Sequence, residues 1–281
     1  MKRTALFICA LASIACHADE LYIASNVMAS SLDGLEFLLN GRPFFTGTVN
    51  KGSCSFSGPV SEWIKAGTNT LGVRVAERAT EEMRASRKFP MRPDQARVRL
   101  QLVRKREGSL VEVTKLVEET FMVLPTNFIF TVTDEWPVKK FVWEGETSVL
   151  TERDKAEIKS LLDTYVEHAT NMANQYEDFL HDRTLIVEQE AMLKGIEINQ
   201  YKRDLCLKAK NELSGIKLSK TRPKNKDVRY MTFPDLNLVK ITVDNEQYGK
   251  KPLAAFCEDM SRAILGPEWF SKIDGKWWIV P

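Results

Sequence analysis

Residues 151–176 read "TERDKAEIKSLLDTYVEHATNMANQY", and this stretch decides the fold class. Thr151 is a favourable N-cap residue, and Asp154 follows three positions later, as in a capping box. Beyond it, apolar residues recur at intervals of three and four, which is the period of a buried helix face. These apolar positions are Ile158, Leu161, Leu162, Tyr165, Val166, Ala169, Met172, Ala173 and Tyr176. The pattern predicts one long amphipathic helix.

The rest of the second half predicts further helical or mixed structure and then antiparallel strands. Residues 185–213 are compatible with helix, although Gly195 argues against one continuous helix. "LNLVKITVD", residues 236–244, reads as a strand, and "WFSKIDGKWWIVP" closes the chain with two aromatic-rich strands around an Asp274-Gly275 turn. A long helix followed by antiparallel strands predicts the α+β class.

Residues 21–142 show a pattern of strands and turns instead. In "LEFLLNGRPFF", Asn40-Gly41 separates two apolar runs, which is a hairpin signal because a type I′ turn needs two positive φ angles. "ARVRLQLV", residues 96–103, alternates apolar and polar residues with a period of two. Seven or so short strands of this kind predict a β-sandwich. The charged residues 77–95 are predicted to be a loop or a small excursion over a sheet edge.

The N-terminus reads as an export signal. Lys2 and Arg3 precede a short apolar run, and small residues follow at the length of a secretory signal peptide. Cleavage after Ala18 is favoured over lipidation at Cys16, but the lipid anchor remains the alternative. No later apolar stretch is long enough to predict a transmembrane helix. The predicted division is a signal peptide at 1–18, a β-sandwich domain at 19–143, a linker at 144–153 and an α+β domain at 154–281, in a periplasmic protein.

Composition and motifs exclude several classes of function. The chain has 40 Lys and Arg residues against 38 Asp and Glu, without the basic surplus that is usual in nucleic-acid-binding proteins. Motifs of the serine-hydrolase elbow, the phosphate-binding loop and the dinucleotide fingerprint are missing. After the signal only His168 and His181 remain, so we predict neither a metal site nor a cofactor.

The cysteines leave two interpretations open. Export makes a disulfide between Cys206 and Cys257 feasible, whereas the plainer interpretation treats them, with Cys54, as small buried apolar residues. No two cysteines form a CxxC pair, so a thioredoxin-like role has no support.

Two resemblances follow from these residues. "LEFLLNGRPFF" and "VSEWIKAGTNTLGVRV", within residues 35–75, resemble the galactose-binding-like jelly-roll modules of glycoside hydrolases. In those modules this segment is structural, so Gly67 and Asn69 are expected to set the backbone conformation. The second half, with its long first helix and the closing "DGKWWIV" hairpin, is similar to the nuclear transport factor 2-like superfamily. That resemblance implies a curved sheet wrapped by helices around a conical pocket, in a superfamily of both enzymes and binding proteins.

Three groups of residues are candidates for function. His181 and Asp182, in "FLHDRT", are the candidate acid–base pair, against the plainer interpretation of a solvated helix end. Lys220, Arg222, Lys224, Lys226 and Arg229 form a basic loop that could meet an acidic protein face or lipid phosphates, although such runs are often only solvated. Neighbouring residues in a strand point to opposite faces, so at most one of Trp277 and Trp278 can be in the core.

The sequence therefore favours an exported, non-enzymatic binding protein with a protein partner or small ligand. One concrete version is a periplasmic immunity or inhibitor protein. The alternative is a small-molecule enzyme or ligand carrier that uses a pocket in the second domain. The exposed tryptophan of the pair, taken as Trp278, is either an edge residue or a binding contact. A carbohydrate-binding module is a third hypothesis, with Trp63 and Phe45 as its candidate aromatic contacts.

Overall fold

The chain has an α+β fold and divides into two compact units between Phe141 and Val142. The computed structural model describes residues 20–29, 32–49, 52–75, 95–106, 108–141, 143–144, 149–213, 217–233, 236–244, 250–258 and 263–281. The predicted signal peptide, the alternative anchor at Cys16 and residues 77–94 of the charged stretch lie outside these residues. We call residues 20–141 the first unit and residues 143–281 the second unit.

The described residues of the first unit form two antiparallel sheets of four strands each. Their orders are β4-β1-β6-β7 and β3-β2-β5-β8. The strands are β1 (Glu20–Ala29), β2 (Leu32–Leu39), β3 (Arg42–Val49), β4 (Gly52–Pro59), β5 (Gly67–Val75), β6 (Gln95–Arg106), β7 (Ser109–Val123) and β8 (Thr126–Val132). Alternate residues are buried, as in β2, where Leu35, Phe37 and Leu39 are inaccessible to solvent. This is the period of two that the sequence predicts.

Turn chemistry explains where two of these strands begin. Asn40 and Gly41 both have positive φ angles, 52° and 81°, which confirms the predicted hairpin between β2 and β3. Gly67, at the start of β5, has a φ angle of 80°. Asn69 bonds the backbone around it, and its amide nitrogen donates to the carbonyl of Gly67 at 3.0 Å. The structural role expected for Gly67 and Asn69 is thus confirmed.

The second unit begins with four helices. They are α1 (Glu152–Asn171), α2 (Tyr176–Asp182), α3 (Thr184–Lys194) and α4 (Ile198–Leu213). The predicted capping box is present, because the Thr151 side chain accepts from the Asp154 amide while the Asp154 carboxylate accepts from the Thr151 amide. Gly195 ends α3 in the left-handed region with a φ angle of 63°, as the sequence indicates.

The long helix is shorter than predicted. It ends at Asn171, and the chain turns before Tyr176 begins α2. The amides of Asn174 and Gln175 both donate to the carbonyl of Asn171 in this turn. Met172 and Tyr176 still pack against the apolar core, so the apolar spacing continues across a break in the backbone. Periodicity alone therefore could not locate the end of the helix.

Antiparallel strands complete the second unit. They are β9 (Arg229–Phe233), β10 (Leu236–Thr242), β11 (Leu253–Phe256), β12 (Ala263–Leu265), β13 (Trp269–Ile273) and β14 (Lys276–Ile279). One sheet has the order β14-β13-β10-β9, and β11 pairs with β12. Asp274 and Gly275 have φ angles of 50° and 79°, which confirms the predicted turn between β13 and β14.

Helix α1 packs against β11 and β14. Ile158, Leu162 and Ala169 from the helix belong to the same buried cluster as Ile241 and Phe270 from the sheet. A second, smaller cluster joins α2, α3 and α4; its buried members are Leu180, Val187, Ala191, Tyr201 and Leu205. The apolar side chains of α1 thus share a core with strands of the second unit.

Candidate functional site

The predicted basic loop is a defined structure in the second unit, and we call residues 217–229 the basic segment. The amide of Ser219 donates to the carbonyl of Phe256 at 2.8 Å, and Leu218 forms an isolated β-bridge with Cys257. Further along, the Asn225 side chain accepts from the Leu253 amide at 2.8 Å and donates to the Leu253 carbonyl at 2.9 Å. The segment is therefore bonded to β11 and the residue after it at two places, near its start and at Asn225.

The basic side chains of this segment are exposed to solvent. The exposed bases are Lys217, Lys220, Arg222, Lys224, Lys226 and Arg229. Arg222 also donates to the carboxylate of Glu167 on α1 at 3.0 Å, and both side chains are about half exposed. Asp227 is the one acidic residue of the segment. The five predicted contact bases are thus all exposed on this segment.

Asp182 pairs with a different histidine from the one predicted. Its carboxylate lies 2.7 Å from Nδ1 of His168, near the end of α1, whereas His181 is exposed. Neighbouring residues point in different directions at the end of α2, so His181 and Asp182 do not form the predicted pair. Burial raises the pKa of Asp182, and the hydrogen bond with His168 opposes that change.

Other ionisable side chains surround this junction of helices. The Tyr201 hydroxyl donates to the Glu190 carboxylate at 3.1 Å, and the guanidinium of Arg183 lies 3.7 Å from that carboxylate. Burial raises the pKa of Tyr176 to about 12 and also raises the pKa of Tyr165. These groups form interhelical contacts. The His168–Asp182 pair orients an imidazole, which is one requirement of acid–base chemistry.

A cleft of about 550 Å³ lies between α2 and α4. The residues that line it include His181. This predicted site residue therefore borders a cleft, although the Asp182 carboxylate pairs with His168 instead. Leu180, Cys206 and Leu207 supply apolar surface, and Lys202 and Arg203 supply charge. A second cleft, of about 750 Å³, lies beside β9 and β10.

The structure does not contain the disulfide that the sequence left open as one interpretation. Cys206 and Cys257 are not joined to each other. Cys206 lies on α4 and packs beside the smaller helical cluster, whereas Cys257 follows β11 and pairs through its backbone with Leu218. Burial, and next the Glu177 carboxylate, raises the pKa of the Cys206 thiol.

The paired tryptophans divide as predicted. Trp277 is 3% exposed and belongs to the core cluster of α1 and the sheet. Its indole nitrogen donates to the Asp154 carboxylate at 2.9 Å. Trp278 is half-buried on the other face, with the Lys276 ammonium 4.5 Å from its ring centre. Trp278 therefore remains the candidate contact residue of the pair.

The aromatic residues proposed for carbohydrate contact lie in a cluster of the first unit. Phe45 stacks on Phe56 at 4.1 Å between ring centres, and Trp63 meets Phe44 edge-on at 5.8 Å. The guanidinium of Arg42 lies 4.7 Å from the ring centre of Trp63. These rings pack against one another, which leaves less ring surface for contact with a sugar.

Comparison with known proteins gives no relative: no family model matches the chain, and no curated protein or solved structure matches it. Among the described residues, no helix is both long and apolar enough to cross a membrane. The described residues also contain no group of three His, Cys, Asp or Glu side chains placed to hold a metal ion. The candidate sites thus rest on the geometry given above.

Proposed function

We propose that this chain is an exported, non-enzymatic binding protein that docks an acidic surface of a protein partner on its basic segment. The observation that carries the proposal is the fixed backbone of this segment. Asn225 anchors it to Leu253, while Lys220, Lys224 and Lys226 project into solvent. A fixed segment loses less conformational entropy on binding than a mobile one, so its charges favour recognition at lower cost.

Compartment and architecture suggest a concrete version. The export signal at residues 1–18, with lipidation at Cys16 as the alternative, directs the chain to the periplasm. There the basic segment would cover an acidic face of a toxic or degradative enzyme, which makes the chain an immunity or inhibitor protein. Complementary charge would speed the encounter and make the affinity depend on salt concentration.

We also propose finer assignments of fold for the two units. The two four-stranded sheets of the first unit would form a β-sandwich related to galactose-binding-like modules. The second unit would be a variant of the nuclear transport factor 2-like fold. In this variant, the exposed bases of the basic segment favour a role for the outer surface of the unit.

A matched pair of charge-reversal variants tests the proposed docking surface. One variant carries Lys220→Glu, Lys224→Glu and Lys226→Glu, and the control carries Arg153→Glu, Lys159→Glu and Lys210→Glu, at exposed positions of α1 and α4. Both lose the same charge, so a general electrostatic effect cancels. Each protein is used to capture partners from periplasmic extract at two salt concentrations, and the captured protein is then purified and titrated.

We expect the wild type and the control to bind the purified partner with affinity that falls as salt rises. The basic-segment variant should bind about 100-fold more weakly, since each reversed charge costs on the order of 1 kcal/mol. Equal binding by both variants would refute the docking surface. Binding to anionic phospholipid vesicles, with no purified protein bound, would assign the segment to a lipid surface and refute the protein partner.

The second candidate function is a small-molecule enzyme or ligand carrier. The observation that favours it is the cleft between α2 and α4, whose lining includes His181. If this function is correct, His181→Ala should weaken ligand binding or any detected turnover. An unchanged result for both would remove His181 from the candidate site.

A further inference from the structure

We propose that the cleft between α2 and α4 binds a small anionic amphiphile, a molecule with a carboxylate head and a short apolar tail. This proposal deepens the second candidate function, the ligand carrier, by naming its ligand class. It does not depend on the basic segment, so a negative result at the cleft would not refute the proposed docking surface, and the reverse also holds.

The size of the cleft suits such a ligand. Its volume of about 550 Å³ lies within the range of roughly 300–1,000 Å³ that is usual for small-molecule sites. Both walls are helices within the described residues, and the side chains that line it come from α2 and α4 alone. The smaller helical cluster, which contains Leu180 and Leu205, supports both walls from below.

Apolar side chains provide a surface for the tail. Leu180 is buried and forms part of the cleft wall, and Cys206 lies across from it on α4. Leu207 is 62% exposed and adds accessible apolar surface to the cleft. An apolar tail lying against Leu207 would remove this surface from water, which is favourable.

Charge complementarity selects an anionic head. The lining contains the basic side chains of Lys202, Arg203 and His181, against the single carboxylate of Glu177. Lys202 and Arg203 are neighbours on α4, one turn before Cys206 and Leu207, so head and tail contacts follow each other along one helix. An alkylammonium ion of the same length would meet the same apolar surface with the wrong charge.

Octanoate is the probe for this site, with octylammonium and octanol as controls for the head group. Titration calorimetry on the full chain should detect octanoate binding that exceeds the binding of both controls. The variant Lys202→Gln with Arg203→Gln should bind octanoate about tenfold more weakly, because it loses charge-assisted hydrogen bonds. Leu207→Gln should weaken binding roughly fivefold, through loss of apolar contact.

Lys210→Gln is the matched control variant. Lys210 is an exposed base on α4 that does not line the cleft, so its loss should leave octanoate affinity unchanged. The substituted side chains at 203, 207 and 210 are exposed, and circular dichroism of each variant should match that of the wild type.

Alkylation of Cys206 locates the bound ligand. Octanoate at about ten times its Kd should slow the reaction of Cys206 with iodoacetamide about tenfold, as read by peptide mass spectrometry. Cys257, which does not line the cleft, should react at an unchanged rate. Four outcomes would overturn the proposal: no octanoate binding, equal binding of octylammonium, undiminished binding by the Lys202 and Arg203 variant, or a dimer that protects Cys206 without ligand.

Discussion

In the first unit the buried side chain of Asn69 holds a turn in place, whereas in the second unit the buried side chain of Asp154 holds the start of α1. Asn69 is 1% exposed and Asp154 is 4% exposed. Asn69 forms four hydrogen bonds, two with Lys65 and one each with Gly67 and Asn40. Asp154 accepts four side-chain hydrogen bonds, two from Thr151 and one each from Lys272 and Trp277.

The difference between the two residues is charge. Asn69 is a neutral amide, so its hydrogen bonds do not change with pH in the ordinary range. The ammonium of Lys272, and then the hydroxyl of Thr151, hold the pKa of Asp154 well below its usual range. A buried charge is costly unless each of its partners is in place, so the second unit should be the more sensitive to loss of its central polar residue.

Replacing Asp154 should therefore have the largest effect. Asp154→Ala leaves the ammonium of Lys272 and the indole N–H of Trp277 without their acceptor and removes the capping box. We expect the second unit to lose about 3–5 kcal/mol of unfolding free energy, the usual cost of breaking a buried ion pair. Native-state hydrogen exchange, followed peptide by peptide, measures this loss separately for each unit.

Asp163→Ala is the control, because Asp163 is an exposed carboxylate on the same helix that pairs with Lys159 at the surface. It should cost less than about 0.5 kcal/mol. A similar loss for both aspartates would mean that the buried position of Asp154 has no special role.

Asn69→Ala should have the next largest effect, and it should be confined to the first unit. The change leaves the Lys65 and Gly67 carbonyls without their amide donor, at a cost of about 2 kcal/mol. Asn26→Ala, at an exposed position of β1, is the control and should be close to neutral. If hydrogen exchange accelerates as much for Asn26→Ala as for Asn69→Ala, the turn does not depend on this amide.

The sequence predicts the local part of each of these sites and misses the distant part. Thr151 and Asp154 are three residues apart, so their reciprocal bonds follow from a helix-start pattern. Lys272 and Trp277, by contrast, are 118 and 123 residues from Asp154. No local pattern selects them as partners, because the contact exists only after the sheet has packed on α1.

The same limit applies to the other polar contacts. The Asn40-Gly41 turn and the turn at Gly67 are both predictable, yet the bond that joins Asn40 to Asn69 spans 29 residues. His168 is not among the predicted site residues, because its contact with Asp182 exists only after the chain turns between α1 and α2. The basic segment could be predicted from its composition, whereas its anchoring through Asn225 could not, since Leu253 is 28 residues away.

The charge of Asp154 predicts a pH dependence that Asn69 does not share. A carboxylate whose pKa is lowered by folding stabilises the native state above its unfolded pKa, and this contribution is lost as pH falls below about 4. We expect the second unit to lose about 1 kcal/mol from this group between pH 5 and pH 3. Denaturant titrations across that range, on the wild type and on Asp154→Asn, measure the difference.

Asp182 has the opposite effect on the pH dependence of stability, so its contribution must be measured separately from that of Asp154. Its pKa is raised by burial, so protonation of this group favours the folded state as pH falls. The variant Asp182→Asn should therefore have a steeper loss of stability with acid than the wild type, and Asp154→Asn a shallower one. Parallel curves for the wild type and Asp154→Asn would contradict the assignment of the acid response to Asp154.

The smallest effect is expected at an ion pair that is not buried. The side chains of Arg222 and Glu167 meet at 3.0 Å, but they are 54% and 50% exposed, so water screens their attraction. Arg222→Gln should change the unfolding free energy by less than about 0.5 kcal/mol.

Asn225→Ala, which removes two hydrogen bonds between the basic segment and β11, should cost more, about 1–2 kcal/mol. Hydrogen exchange at residues 217–229 distinguishes the two variants. If exchange accelerates as much for Arg222→Gln as for Asn225→Ala, then a surface ion pair holds the basic segment in place. The proposed difference between buried and exposed polar contacts would then be wrong for this segment.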